Sequence, residues 1–243
     1  MTEEEWLTCV DFEARFDHLE SVAALTQRKL RLFEVAYCRR FTSQLSDSVL
    51  TNALNIAELF ADGLVTEVEL AAVREAAREL ENESAMNEEG RAETDALYYG
   101  AMAVRDATSP DHPDYQAGTP KMIENLISAL AYVSPSAPKD NHDELVVSFE
   151  QVSDSEKHHV AELTCDIFGN PFRPVTFSPS WHTPTAIALA SQMYESRDFS
   201  AMPILADALQ DAGCDCTDIL SHCRGPGPHV RGCWVVDLVL GKE

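Results

Sequence analysis

Apolar residues recur along this chain at spacings of three and four, and most such runs follow a residue able to cap a helix. That pattern points to helices packed on helices. The strongest case spans residues 27–45, where Leu30, Phe33, Tyr37 and Phe41 form one stripe behind Thr26. Thr2 with Glu5, and Thr66 with Glu69, have capping-box spacing, in which hydroxyl and carboxylate each meet a backbone N–H that the first turn leaves unpaired. Asp11 and Asp47 open further runs, to about Val22 and Phe60, the second stopping at Asp62-Gly63. The run after Thr66 is alanine-rich and extends to about Leu80. Helical spacing returns over 94–107, Pro120 to about Val133, Ser155 to about Phe168, Thr183-Pro184 to about Tyr194, and Met202 to Leu209. A short turn follows at Asp218–Cys223. Residues 81–95 are polar and read as a loop or a solvated helix end. Leu145-Val146-Val147 suits a strand or a helix equally, and the apolar tail Cys233–Leu240 reads as a final buried helix with a strand left open. The expected fold is all-α: an irregular multi-helix bundle with a proline-rich loop and a compact C-terminal helical lobe.

The 243 residues fit one large domain or two small ones. Ser134-Pro135-Ser136-Ala137-Pro138 is the best linker, dividing an N-terminal helical region (1–133) from a C-terminal lobe (140–243) at 134–139, with a single domain also open. Forty-one acids against eighteen bases give a net charge of -23, a field that repels phosphate backbones and anionic membranes. Nucleic acid and membrane are therefore not expected partners. The acidic start lacks a signal peptide's basic region, and no apolar stretch approaches the roughly 18 residues of a membrane span, so the cytoplasm is expected. Seven cysteines at irregular spacing make a poor disulfide framework and read as reduced thiols, with Cys9, Cys38 and Cys165 filling core space.

Several strings are long and oddly composed: Met1-Thr2-Glu3-Glu4-Glu5-Trp6-Leu7; Arg28-Lys29-Leu30-Arg31-Leu32-Phe33 with Cys38-Arg39-Arg40; Asp166-Ile167-Phe168-Gly169-Asn170-Pro171-Phe172-Arg173-Pro174; Pro203-Ile204-Leu205-Ala206-Asp207-Ala208-Leu209 with Asp211-Ala212-Gly213-Cys214; and His229-Val230-Arg231-Gly232-Cys233-Trp234. They resemble an expanded, uncharacterised bacterial paralogue family whose members occur alone or beside short repeat-companion modules. The likeness covers both ends and leaves about 81–145 unmatched. It implies an interaction or regulatory role and supplies no catalytic residue.

Four constellations bear chemistry. Cys214, Cys216, His222, Cys223, His229 and Cys233 place six soft donors in twenty residues. Their spacing departs from paired zinc knuckles, and adjacent His222 and Cys223 point about 100° apart on a helix. Glu156, His159 and Glu162 share a helix face, but a di-iron site needs a second Glu-x-x-His, so a charged exposed face is expected. Arg28, Lys29, Arg31, Arg39 and Arg40 form a basic strip. It suits an acidic peptide or phosphate-bearing ligand, or else pairs internally, beginning with Glu3, Glu4, Glu5 and Asp11. The rigid loop at Asn170–Pro174 with Trp181 and His182 presents an arginine, aromatics and a histidine, which makes Arg173, Trp181 and His182 binding candidates. No Gly-x-Gly-x-x-Gly, P-loop, Gly-x-Ser-x-Gly or His-Glu-x-x-His string occurs.

The expectation is a non-catalytic helical interaction or regulatory protein with another protein as partner and no cofactor. Two alternatives stay open. One is a metal- or redox-linked protein using the C-terminal cysteines and histidines, and the other an enzyme with its pocket near Arg173 and Trp181.

Overall fold

The computed structural model describes residues 1–45, 47–86, 92–109, 115–133 and 142–242. Among them lie twelve α-helices and no strand. The helices are α1 (Glu3–Thr8), α2 (Phe12–Ser21), α3 (Gln27–Thr42), α4 (Ser48–Ala61), α5 (Glu67–Ala85), α6 (Ala92–Ala107), α7 (Tyr115–Val133), α8 (His142–Phe168), α9 (Pro184–Ser196), α10 (Met202–Asp211), α11 (Thr217–Arg224) and α12 (Trp234–Leu240). The all-α fold read from the spacing is the fold observed.

The caps form as their chemistry requires. Thr2 Oγ1 accepts from the Glu5 N–H at 3.2 Å while Glu5 accepts from the Thr2 N–H at 2.6 Å, and Thr66 and Glu69 repeat the box. Other boundaries differ from the expectation. Helix α5 runs on to Ala85, so Glu81–Ser84 takes the helix-end alternative, with Arg105 of α6 pairing with Glu81 at 2.6 Å and Ser84 buried with its hydroxyl on the Leu80 carbonyl. Helix α7 begins at Tyr115, so Pro120 lies inside it, removing one internal hydrogen bond instead of starting the helix. Leu145–Val147 belongs to the 27-residue α8, and the tail is helical. The linker at 134–139 lies outside the described residues.

Helix α3 runs through the middle of the first body, against α4, α6, α7 and α8. It buries Leu30, Leu32, Phe33, Val35, Tyr37, Cys38 and Phe41, more than one stripe, as a helix surrounded by others must. Phe16 meets Phe33 and Phe168 edge-on at 5.0 and 6.0 Å. Gly100 lets α6 approach so closely that an added Cβ would fall 2.1 Å from the Phe41 ring.

A second, smaller cluster joins α9 to α12 through Ala186, Ala190, Met193, Leu205, Ala206, Val235, Val236 and Val239, with Cys214, Cys223 and Cys233. The changeover falls between Phe168 and Ala186. Helix α8, which the sequence grouped with the C-terminal lobe, gives Val160, Leu163 and Ile167 to the first cluster because its apolar face packs on α3 and α7. The two bodies also meet along a polar seam on α4, where Asn55, Glu58 and Asp62 recur at helical spacing. These residues take partners from α3, from Tyr194 and Arg197 at the end of α9, from Arg231 before α12 and from Lys242 after it. No helix among the described residues is long and apolar enough to cross a membrane.

Candidate metal centre

At the other junction between the bodies, four side chains converge. Asp166 comes from the last turn of α8, His222 from α11, His229 from the bend Gly225–Gly232, and Cys233 from the N-cap of α12. Their donor atoms all lie within 4.8 Å of one another. Asp166 Oδ1 is 2.9 Å from His229 Nδ1 and 3.2 Å from His222 Nε2, which is itself 3.1 Å from Cys233 Sγ. The outer oxygen of Asp166 accepts from the Val230 N–H at 3.0 Å, and that fixes the carboxylate's orientation.

Backbone shape makes the convergence. Gly227 has φ 86, in the left-handed region, and a Cβ there would meet His229 N at 3.0 Å and Cδ2 at 3.4 Å, so only glycine lets the bend fold against the imidazole. Gly169 plays a similar part after α8, where a Cβ would press on the Trp234 ring at 3.3 Å. Trp234 in turn packs 5.2 Å from the His222 ring.

The donors are buried or nearly so, with side-chain exposure of 2% for Asp166, 8% for His229 and 19% for His222. Among protein groups alone, His229 has no comfortable tautomer. A proton on Nδ1 serves Asp166 but leaves Nε2, which is buried without a hydrogen-bond partner, as a bare lone pair. A proton on Nε2 sets the Nδ1 lone pair 2.9 Å from a carboxylate oxygen. A divalent cation at the common point would receive the lone pairs of His229 Nδ1, His222 Nε2, Asp166 Oδ1 and Cys233 Sγ together, which relieves the lone-pair clash at Nδ1 and leaves the His229 proton on Nε2. Tetrahedral zinc places its ligand atoms about 3.3–3.8 Å apart, given bonds of about 2.0–2.3 Å. Three of the observed separations, 2.9, 3.1 and 3.2 Å, fall just below that range and the widest is at most 4.8 Å, so small side-chain shifts would close the set on an ion. Its nitrogen, sulfur and carboxylate chemistry suits zinc-type ions over magnesium or calcium. Asp166, His222 and His229 also line a cavity of about 390 Å³ shared with Arg15 and Cys165.

Of the six donors proposed from sequence, three assemble. Cys214 and Cys223 are buried in the apolar cluster, where burial pushes the Cys223 thiol up to about 12, and Cys216 is half-buried outside the set. Burial likewise holds the Cys233 thiol well above its ordinary range in the absence of a cation. His222 and Cys223 diverge as helical geometry demands. Asp166, 56 residues upstream of His222, was missed. Its signal was an acid in the last turn of a helix, where the helix dipole disfavours negative charge.

The other candidates lie elsewhere. Glu156 is buried and takes Arg40 at 2.7 and 3.2 Å, so the exposed charged face expected there is half wrong, and His159 faces Glu162 at 3.6 Å. Burial holds the His159 imidazole down at about 4. The arginines of the basic strip pair internally, with acids of α4, α8 and α12 in place of Glu3, Glu4, Glu5 and Asp11. Arg28 spans Asp62 at 3.0 Å and Asp237 at 2.6 Å, while Arg39 holds Glu58 at 2.9 Å. Arg31 donates to the carbonyls of Ala107 and Ser109, and Lys29 lies 6.0 Å above the Phe168 ring. Burial opposes the charge on both Asp62 and Asp237. At Asp62 the Tyr194 hydroxyl, Lys242 and Arg28 outweigh it and hold the carboxyl low, whereas at Asp237 burial wins and the carboxyl is raised. Arg173 is exposed and pairs with Glu3 and, at 3.7 Å, with Asp218. It lines a cavity of about 470 Å³ whose walls do not include Trp181 or His182. Trp181 packs edge-on to Phe177, and His182 Nε2 meets the Leu238 carbonyl at 3.3 Å. Comparison of the chain with protein-family models, with curated proteins and with solved structures finds no match.

Proposed function

We propose that the chain is a zinc-type metalloprotein in which one divalent ion, held by Asp166, His222, His229 and Cys233, secures the C-terminal helices to α8. The observation that carries this reading is the meeting of four different donors from separate elements, one from the end of a helix of the first body and three from the second. Four protein ligands fill a tetrahedral shell, so the role is organisational and not catalytic. Elemental analysis of protein purified without chelators should give one zinc or iron per chain, and Asp166→Asn or Cys233→Ser should lose it. Absence of stoichiometric metal, together with melting that added zinc leaves unmoved, rejects the reading.

Docking to another protein is the second reading. It is favoured by Leu64 and Val68, which leave 68% and 78% of their surface exposed where α4 turns into α5. Replacing both by lysine should reduce capture of a host partner at unchanged helicity, and unaltered capture removes that surface. All seven cysteines are free, which supports a reducing compartment such as the cytoplasm.

A further inference from the structure

The seam on α4 carries an imbalance that the metal reading leaves untouched. Glu58 is buried, and three guanidiniums converge on its carboxylate. Arg39 Nε approaches at 2.9 Å, Arg231 Nη1 at 3.1 Å, and Arg197 through Nε at 2.8 Å and also through Nη2. One turn earlier, Asn55 Oδ1 accepts from Arg39 Nη2 at 2.9 Å and Arg197 Nη2 at 3.0 Å, which holds two like charges side by side over one neutral oxygen. Asp62 and Asp237 do not make up the deficit, since they are taken by Arg28 and Lys242. Five cationic side chains thus face three carboxylates, in a chain whose net charge is -23. Crowded like charges repel, and a further anion would relieve them.

Arg197 adds an independent observation. It is the C-cap of α9 with φ 60 and ψ 18, the left-handed region in which glycine is the ordinary occupant. A glycine would end the helix without steric cost, so the backbone gains nothing from arginine, and what the position retains is the side chain. Arg197 and Arg39 stay partly open, at 35% and 25% exposure. Among the described residues, Arg39 Nη1, Arg197 Nη1 and Arg231 Nη2 donate to no protein acceptor.

We propose that Arg39, Arg197 and Arg231 form a binding site for a phosphate-type dianion. Two surplus positive charges match its charge, and each of the three guanidiniums keeps a terminal nitrogen that could donate to one of its oxygens. Inorganic phosphate and a phosphate monoester on a peptide share this chemistry. None of the three arginines hydrogen-bonds to a metal donor, although Arg231 lies two residues from both His229 and Cys233, so the test is read at Arg197, which is far along the chain from all four donors.

The test is a titration of the full chain with inorganic phosphate at constant ionic strength, followed by calorimetry and by melting. One saturable site per chain is expected. Arg197→Gly, which relaxes the backbone and so keeps the fold, should weaken binding about tenfold or more. Arg197→Lys, keeping charge without the fork, should fall between. Arg78→Gln, which removes only the exposed pair with Glu75, should bind as the parent does. Circular dichroism checks that each variant is folded. In a parallel arm, a phosphoserine peptide that binds more tightly than phosphate identifies a macromolecular source, and one that binds no better identifies the free ion. Phosphate that acts no differently from chloride, or binds Arg197→Gly undiminished, overturns the proposal.

Discussion

The two apolar bodies are built from different materials. The first packs Trp6, Phe16, Phe33, Tyr37 and Phe41 on and around α3. The second buries one aromatic, Tyr194, and draws otherwise on Leu205, Leu209, Ile219, Leu220, small aliphatics, two methionines and three cysteines within little more than fifty residues. Small clusters bury too little apolar surface to offset the loss of chain entropy, and natural small folds add a metal or a cross-link. Asp166, His222, His229 and Cys233 converge at the edge of the smaller body, and the ion proposed for them would act as such a staple there. The lesson is that apolar packing and polar fastening trade against each other along one chain.

That contrast can be broken most severely from the strong side. Phe33→Ala should cost about 3–5 kcal/mol, because the aromatic's neighbours in α2 and α3 cannot collapse into the space it leaves, and denaturant unfolding would measure it. Next comes the fastening between the bodies. Glu58→Gln removes the single carboxylate beneath three guanidiniums and should cost about 3 kcal/mol in the same assay, with loss of the contact reported by the Tyr194 environment. Both figures compare folding free energies of variant and parent.

A smaller effect tests whether the first body tolerates a charge. Burial pushes the Glu34 carboxyl from 4.5 up to about 8, against the Thr119 hydroxyl that donates to it at 2.6 Å. A carboxyl raised on folding stabilises fully below the unfolded value and loses that contribution as pH climbs towards 8. Glu34→Gln should therefore match the parent near pH 4 and exceed it by a margin on the order of 2 kcal/mol at pH 8. Melting across that range decides it, and a variant curve parallel to the parent's would refute the buried-acid assignment. The smallest effect sharpens the view that caps are local. Thr66→Ala removes a hydroxyl that bonds the Glu69 N–H at 3.3 Å and should cost about 1 kcal/mol, read as a modest shift in denaturation midpoint.

Local chemistry made most of the helices legible, since a cap and an apolar stripe act within one or two turns. The errors came where distant parts decide. Pro120 lies inside a helix whose start the proline cannot signal, and at Glu81, left open between loop and helix end, the helix continues where Arg105 of α6 reaches it. The strip at Arg28–Arg40 was read as basic, but its partners Glu58, Glu156 and Asp237 come from the middle and end of the chain. At the candidate centre, His222, His229 and Cys233 are three of the six donors the tail offers, and nothing in the sequence singles them out from Cys214, Cys216 and Cys223. Spacing rules tuned to knuckles argued against them, and the fourth donor arrives from a separate helix. Asp166 and Arg197 share a trait that could have flagged both: each is a poor residue for its place at a helix end.

The crossing of α3 and α6 has a consequence for how this chain can vary. Gly100 leaves no room for even a methyl group beside Phe41, so substitution there cannot come first. Phe41 would have to shrink beforehand, and that intermediate would carry a void in its busiest interior. Change at this point therefore has a compulsory order with a valley in it. The spacing of these two helices behaves as an inherited dimension, one that later drift of the surface works around and does not reset.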